Sequence, residues 1–192
     1  MLARSVPTYP RARVVAVPKS GGLRWLTLLD ETTAVEYAAA VAEVASTVET
    51  RLGSAVVANR VSCFSPLALE PWRPARARFR RAAARFAGEA RALLVADVLQ
   101  CFRSTRADAV GEALARMGCE RRSVDPIVDL LEGFASEGVL GLPIGPEPSA
   151  VLANAVLAAA DERLVAGGAA HLRWVDDFVV AADDAADADR KL

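Results

Sequence analysis

Two adjacent aspartates sit inside an apolar stretch, HLRWVDDFVV from His171 to Val180, and no other feature restricts the fold as much. The β-branched and aromatic residues on either side predict strand, tight turn, strand, over His171–Val175 and Phe178–Ala182. At such a turn the carboxylates of Asp176 and Asp177 repel each other and lose hydration. A divalent cation offsets that cost, and hard oxygen ligands suit Mg²⁺. A lone acidic doublet is more often a surface turn, and the second one here, Asp183–Asp184, reads as a solvated helix start. The pair therefore needs a partner elsewhere in the chain.

Asp97 supplies one. It ends the apolar run Ala90–Ala96, which predicts a buried central strand. A single aspartate there is as often a turn former. Three carboxylates converging from two strand ends, however, can hold two cations about 3.5–4 Å apart, the arrangement that stabilises both attacking and leaving oxygens in phosphoryl transfer.

The rest of the chain surrounds these positions with a mixed α+β pattern. Arg13–Val17 and Arg24–Leu29 flank a Ser-Gly-Gly turn and predict a hairpin. Asp30, Thr32 or Thr33 can cap a helix running to about Leu52. A Pro-punctuated stretch from Ser65 to Pro74 precedes an Arg-rich helix over 76–88, and further helices are expected near 106–118, 123–137 and 149–164. Residues 138–148, with three glycines and three prolines, predict a loop, and 183–192 begin a helix.

Composition narrows the function. The 192 residues, 53% hydrophobic, can build one large domain or two small ones around a core. A single histidine argues against His-based zinc sites and His-dependent nucleophiles. Cys63, Cys101 and Cys119 lack ligand spacing and suit reduced thiols in a cytoplasm. Pro7 and Pro10 interrupt any signal peptide, and the apolar run at 150–160 is too short to span a bilayer, so no membrane association is expected. Net charge is −1, yet seven arginines lie between Arg73 and Arg91, and six aspartates between Asp176 and Asp189. Such separation suggests a phosphate-facing surface and an acidic site, although a solvated helix and an acidic tail give the same pattern.

Five segments, in order, resemble the motifs of reverse transcriptases. VPKSGGLRWLTLLD is similar to the fingers segment in which a lysine and an arginine flank a Gly turn, and Asn59-Arg60 to the segment closing the fingers. DVLQCFRS from Asp97 resembles the first palm motif, GLPIGPEPSAVLAN from Gly141 the second, and RWVDDFVV from Arg173 the third. The resemblance implies fingers over residues 1–88 and a palm over 89–192, with the helices of 106–137 between the first and second palm motifs. It also implies an antiparallel palm sheet packed on helices, with the thumb absent from this chain.

Carried over residue by residue, Asp97, Asp176 and Asp177 would be catalytic. With the backbone carbonyl of Val98 they would bind two Mg²⁺ or Mn²⁺ ions. Lys19 and Arg24 would grip the triphosphate. Phe102 falls at the steric gate that excludes a ribose 2′-hydroxyl, and Ile144 beside the incoming nucleotide, where most of the family has Gln. Arg60, Arg76, Arg78, Arg80 and Arg81 would contact nucleic acid. The apolar Ile144 resembles the bacterial abortive-infection-like and unclassified defence enzymes most. The implied activity is RNA-directed DNA synthesis from deoxynucleoside triphosphates on an RNA template and primer, or on protein-primed or untemplated DNA. A C-terminal domain or partner subunit would supply the thumb, without which primer–template binding is expected to be weak and salt-sensitive. A catalytically silent palm acting as an assembly module, and a palm-type nucleotidyl cyclase, are the alternative readings.

Overall fold

The computed structural model describes residues 11–190 except 20, 63 and 64, so the readings placed on Pro7, Pro10, Ser20 and Cys63 lie outside the described residues. The chain is mixed α+β, with seven helices and small antiparallel sheets among those residues. β1 (Ala12–Lys19) and β2 (Gly22–Leu29) form the expected hairpin, in register from Ala12↔Leu29 to Lys19↔Gly22. The helix α1 (Glu31–Arg51) starts where the Asp30 side chain accepts a hydrogen bond from Thr33 N at 2.8 Å. A short ladder, β3 (Val61–Ser62) with β4 (Ser65–Leu69), precedes α2 (Trp72–Glu89). This helix begins four residues before its expected start at 76. Pro74 lies in the first turn, where its missing N–H is not needed, so it opens the helix rather than delaying it.

Then follow β5 (Ala92–Asp97), the single turn α3 (Cys101–Ser104), α4 (Ala107–Arg116) and α5 (Arg121–Ser136). After the expected loop come α6 (Glu147–Ala166), β6 (His171–Trp174), β7 (Asp177–Ala182) and α7 (Ala185–Arg190). The last three strands form one antiparallel sheet in the order β5-β7-β6. This corrects the expectation of a buried central strand over 90–96: β7 is central and β5 lies at the edge. Along β5, Leu94 and Ala96 turn toward Leu157, Phe178 and Val180, whereas Val95 is 70% exposed on the other face. A continuous apolar run reads as two-sided burial, but here α6 covers one side only.

The main core lies beneath this sheet, between α1, α4, α5 and α6. Tyr37, Val44 and Val48 meet Val110, Leu114, Ile127, Phe134, Val151 and Leu152. The Tyr37 ring meets Phe134 edge-on at 5.3 Å, and its hydroxyl lies 3.0 Å from Ser149 Oγ. Each of these buried aliphatic side chains contributes roughly 1.5–3 kcal/mol. The cluster draws on residues both before and after the expected boundary at 88/89, so the two segments share one core. No helix among the described residues is long and apolar enough to cross a membrane.

Candidate active site

The sheet brings the acidic residues to one end. Asp97 and Asp177 are register partners on β5 and β7, and Asp177 faces Trp174 on β6. Directly opposed residues share a face, so Asp97, Asp177 and Trp174 form a row across three strands, spaced about 4.8 Å from strand to strand. That face is opposite the one α6 covers, since the neighbouring Phe178 is packed inward. Asp176 occupies the two-residue turn between β6 and β7, and its carbonyl accepts Val98 N at 3.2 Å, which ties the turn to the end of β5. The Val98 carbonyl already accepts Cys101 N at 3.1 Å, leaving one lone pair for another partner.

The electrostatics match this proximity. Burial, reinforced by the carboxylates of Asp97 and Asp177, raises the Asp176 carboxyl above its ordinary value. Burial, with Asp176 next, pushes the Cys101 thiol up to about 11, which makes it an inert core group rather than a nucleophile. Among the described residues, no three His, Cys, Asp or Glu side chains are gathered closely enough to hold a metal ion unaided. Mg²⁺ keeps several waters and is usually held by one or two carboxylates together with substrate phosphates. Asp97 and Asp177 are exposed to solvent and Asp176 is half-buried beside them, so the strain of like charge falls on Asp176.

Behind the acids lies a buried polar hub. Arg173 is fully buried; its Nε donates to both Asp161 oxygens at 3.0 Å, and its Nη2 to Oδ2 at 2.7 Å. Its Nη1 donates to Asn154 Oδ1 and to the Val175 carbonyl, each at 2.8 Å. His171 Nε2 lies 2.9 Å from Asp161 Oδ1. Burial opposes ionisation of Asp161, but His171 and Arg173 outweigh it and hold the carboxyl below its usual range. Val175 stands at φ 60°, a left-handed conformation that costs a β-branched residue about 1–3 kcal/mol.

The other expected nucleotide contacts are linked to this centre through α3. Phe102 is half-buried and packs against both apolar clusters. Its carbonyl accepts Leu142 N at 2.7 Å, drawing the 141–144 loop onto α3. The half-buried Ile144 is joined to β2 through its backbone: Thr27 N donates to its carbonyl at 2.7 Å, and its own N to Thr27 Oγ1 at 3.3 Å. Ile144, Trp25, Thr27, Val139 and Arg103 line a cavity of about 320 Å³. Lys19 and Arg24 are exposed and sit diagonally on one face of the hairpin, the face opposite Trp25 and Thr27. Arg24 lies three residues from Thr27, or about 10 Å along the strand.

The five arginines expected to meet nucleic acid divide. Arg60 is engaged within the fold, donating to Glu49 at 2.6 Å and to the carbonyls of Gly53 and Val56. Arg78 pairs with Glu70. Arg76 stacks over Trp174 at 4.8 Å, at the end of the acidic row. Arg80 and Arg81 are exposed, and Arg81 with Arg60, Arg78 and Arg85 lines an open groove of about 870 Å³.

Sequence reasoning gave no role to Arg173, Asp161, Asn154 or Trp174. A signal was present: Asn154 and Asp161 are seven apart, two turns along one face of an Ala-rich helix, and His171 and Arg173 share one strand face. Neither a protein-family model nor a curated protein sequence matches the chain.

Proposed function

We propose that this chain is the fingers and palm of a reverse-transcriptase-like polymerase that adds deoxynucleotides to a 3′ end in a bacterial antiviral system. One observation carries the reading: Asp97 and Asp177 are register partners at the ends of adjacent strands, with Asp176 in the adjoining turn. The order of the five sequence motifs supports it. Asp97, Asp176 and the Val98 carbonyl would hold two Mg²⁺ or Mn²⁺ ions, with Asp177 beside them. Bound there, such ions supply charge neutralisation for the attacking hydroxyl and the departing pyrophosphate. Lys19 and Arg24 grip the triphosphate from the hairpin. The primer–template lies along the open face of the sheet and the exposed arginines of α2. At the end of the row the Trp174 ring is already packed against Phe79 and covered by Arg76, which anchors α2 beside the acids.

The test is incorporation of each labelled deoxynucleotide by purified protein, with Mg²⁺ or Mn²⁺, with and without RNA template and primer. Labelled polymer that disappears in Asp97→Asn is the expected result. Cyclic products from ribonucleotides would favour the cyclase. No product under any combination would favour the silent assembly module.

Phe102 provides a finer check. Phe102→Ala is expected to raise ribonucleotide use relative to deoxynucleotides at least about 10-fold, since the ring excludes the 2′-hydroxyl by volume. It should also cost about 2–3 kcal/mol, because Phe102 packs on both clusters. Unchanged sugar discrimination in a destabilised variant would reduce Phe102 to a core residue.

A further inference from the structure

We infer that Arg173 is a positioning residue, a buried clamp that holds the Val175–Asp176 turn in the conformation from which Asp176 and Asp177 address a cation; the inference rests on the carboxylate reading above. The turn is poorly suited to hold itself. Two-residue hairpins that need a positive φ at the first position favour Gly, Asn or Asp, and this one has Val175 at φ 60°. The Val175 carbonyl is taken by Arg173 Nη1 at 2.8 Å. The guanidinium has little freedom of its own. Asp161 holds Nε and Nη2, while Asn154 Oδ1 shares Nη1 and so aims it at Val175. Asn154 is fixed in turn by the carbonyls of Ala58 and Asn59, at 3.3 and 3.1 Å. The Arg173 backbone is tied on both sides, its N donating to Ala55 O at 2.8 Å and its O accepting Val57 N at 3.0 Å. A guanidinium needed only to neutralise Asp161 would have no use for the contact to the turn.

Arg173→Lys separates these roles. It keeps a positive charge for Asp161, but one ammonium cannot span Asp161, Asn154 and Val175 together. Mn²⁺ binding by the full chain, followed by loss of the free-ion electron paramagnetic resonance signal, reads the site without turnover. At a temperature where near-UV circular dichroism shows both proteins folded, the variant is expected to bind Mn²⁺ at least about 10-fold more weakly. Adding Val175→Gly, which enters positive φ without strain, should restore most of that affinity. Wild-type affinity in Arg173→Lys, or no recovery with Val175→Gly, overturns the clamp. Should Arg173→Lys fail to fold, Asn154→Ala decides, because it leaves the Arg173–Asp161 pair in place. A severalfold loss is expected there, and wild-type affinity overturns the proposal. A wild-type chain that binds no Mn²⁺ overturns the carboxylate reading and the clamp together; binding that is indifferent to all these variants overturns the clamp alone.

Discussion

Asp176→Asn is expected to lower nucleotide incorporation on the order of 10³-fold while leaving the protein folded and, without metal, slightly more stable. The amide matches the carboxylate in shape but brings no charge to the cation. Stability should move the other way because Asp176 is half-buried beside Asp97 and Asp177, and its carboxyl is held above the ordinary value of 3.8. A carboxyl raised in the folded state binds its proton more tightly there than in the unfolded chain. Its favourable contribution is therefore present below 3.8 and is lost as pH climbs through the raised value; above that window the ionised group carries a constant cost. Asparagine removes this cost, so the gain in thermal midpoint should be largest near neutral pH and vanish in acid. Incorporation at the wild-type rate would refute the ligand assignment. A midpoint that falls at neutral pH would show that Asp176 is stabilised by its surroundings rather than strained by them.

Gly141→Ala should cost about 3 kcal/mol, or roughly 10 °C in Tm for a chain of this size. Two effects add. Gly141 sits at φ 67°, and a Cβ there would lie 2.2 Å from the Phe102 carbonyl oxygen and 2.5 Å from that of Arg103. Both obstacles are backbone, so neither can swing aside, and Leu142 N is bonded to the same Phe102 oxygen. Gly138 is the natural control. It has φ 85°, but a methyl added there would meet nothing within 4 Å, so Gly138→Ala should cost only the left-handed conformation, about 1–2 kcal/mol. Thermal melts of the two variants compare strain with and without collision. Equal losses would mean that the loop yields and does not press on α3. If Gly141→Ala folds, the displaced loop should also disturb Phe102 and Ile144, which follow from the same contact.

Local elements were legible in the sequence because local rules decide them. Asp30 caps α1, the Gly pair closes β1–β2, and the doublet at 183–184 begins α7, where Asp184 Oδ1 accepts Asp187 N at 2.8 Å. The acidic row was half legible. Apolar flanks place Asp97 and Asp177 at strand ends, but only the order β5-β7-β6 sets them opposite each other. Edge position was hidden, since Leu93–Val95 looks the same whether one face is covered or two. Long-range polar chemistry was least legible. Arg173 reads as a charged residue in a strand until α6 brings Asp161 and Asn154 against it. Likewise the ion pairs of Arg60 with Glu49 and of Arg78 with Glu70 join residues that the sequence alone does not place together.

The shared core between α1 and α6 decides which parts can move. With Tyr37 against Phe134 and Ser149, no hinge is available at 88/89. The β1–β2 ribbon differs: Ala12 and Leu29 at its base join the core, while its tip packs on little beyond itself. Arg24 thus rides about 10 Å, and Lys19 about 17 Å, beyond the Thr27–Ile144 pair of hydrogen bonds that ties the ribbon to the 141–144 loop. Bending of the ribbon about that pair would carry both cations together, on the microsecond-to-millisecond scale of loop motion. Ile144 makes that attachment through its main chain alone, so its side chain has no part in it.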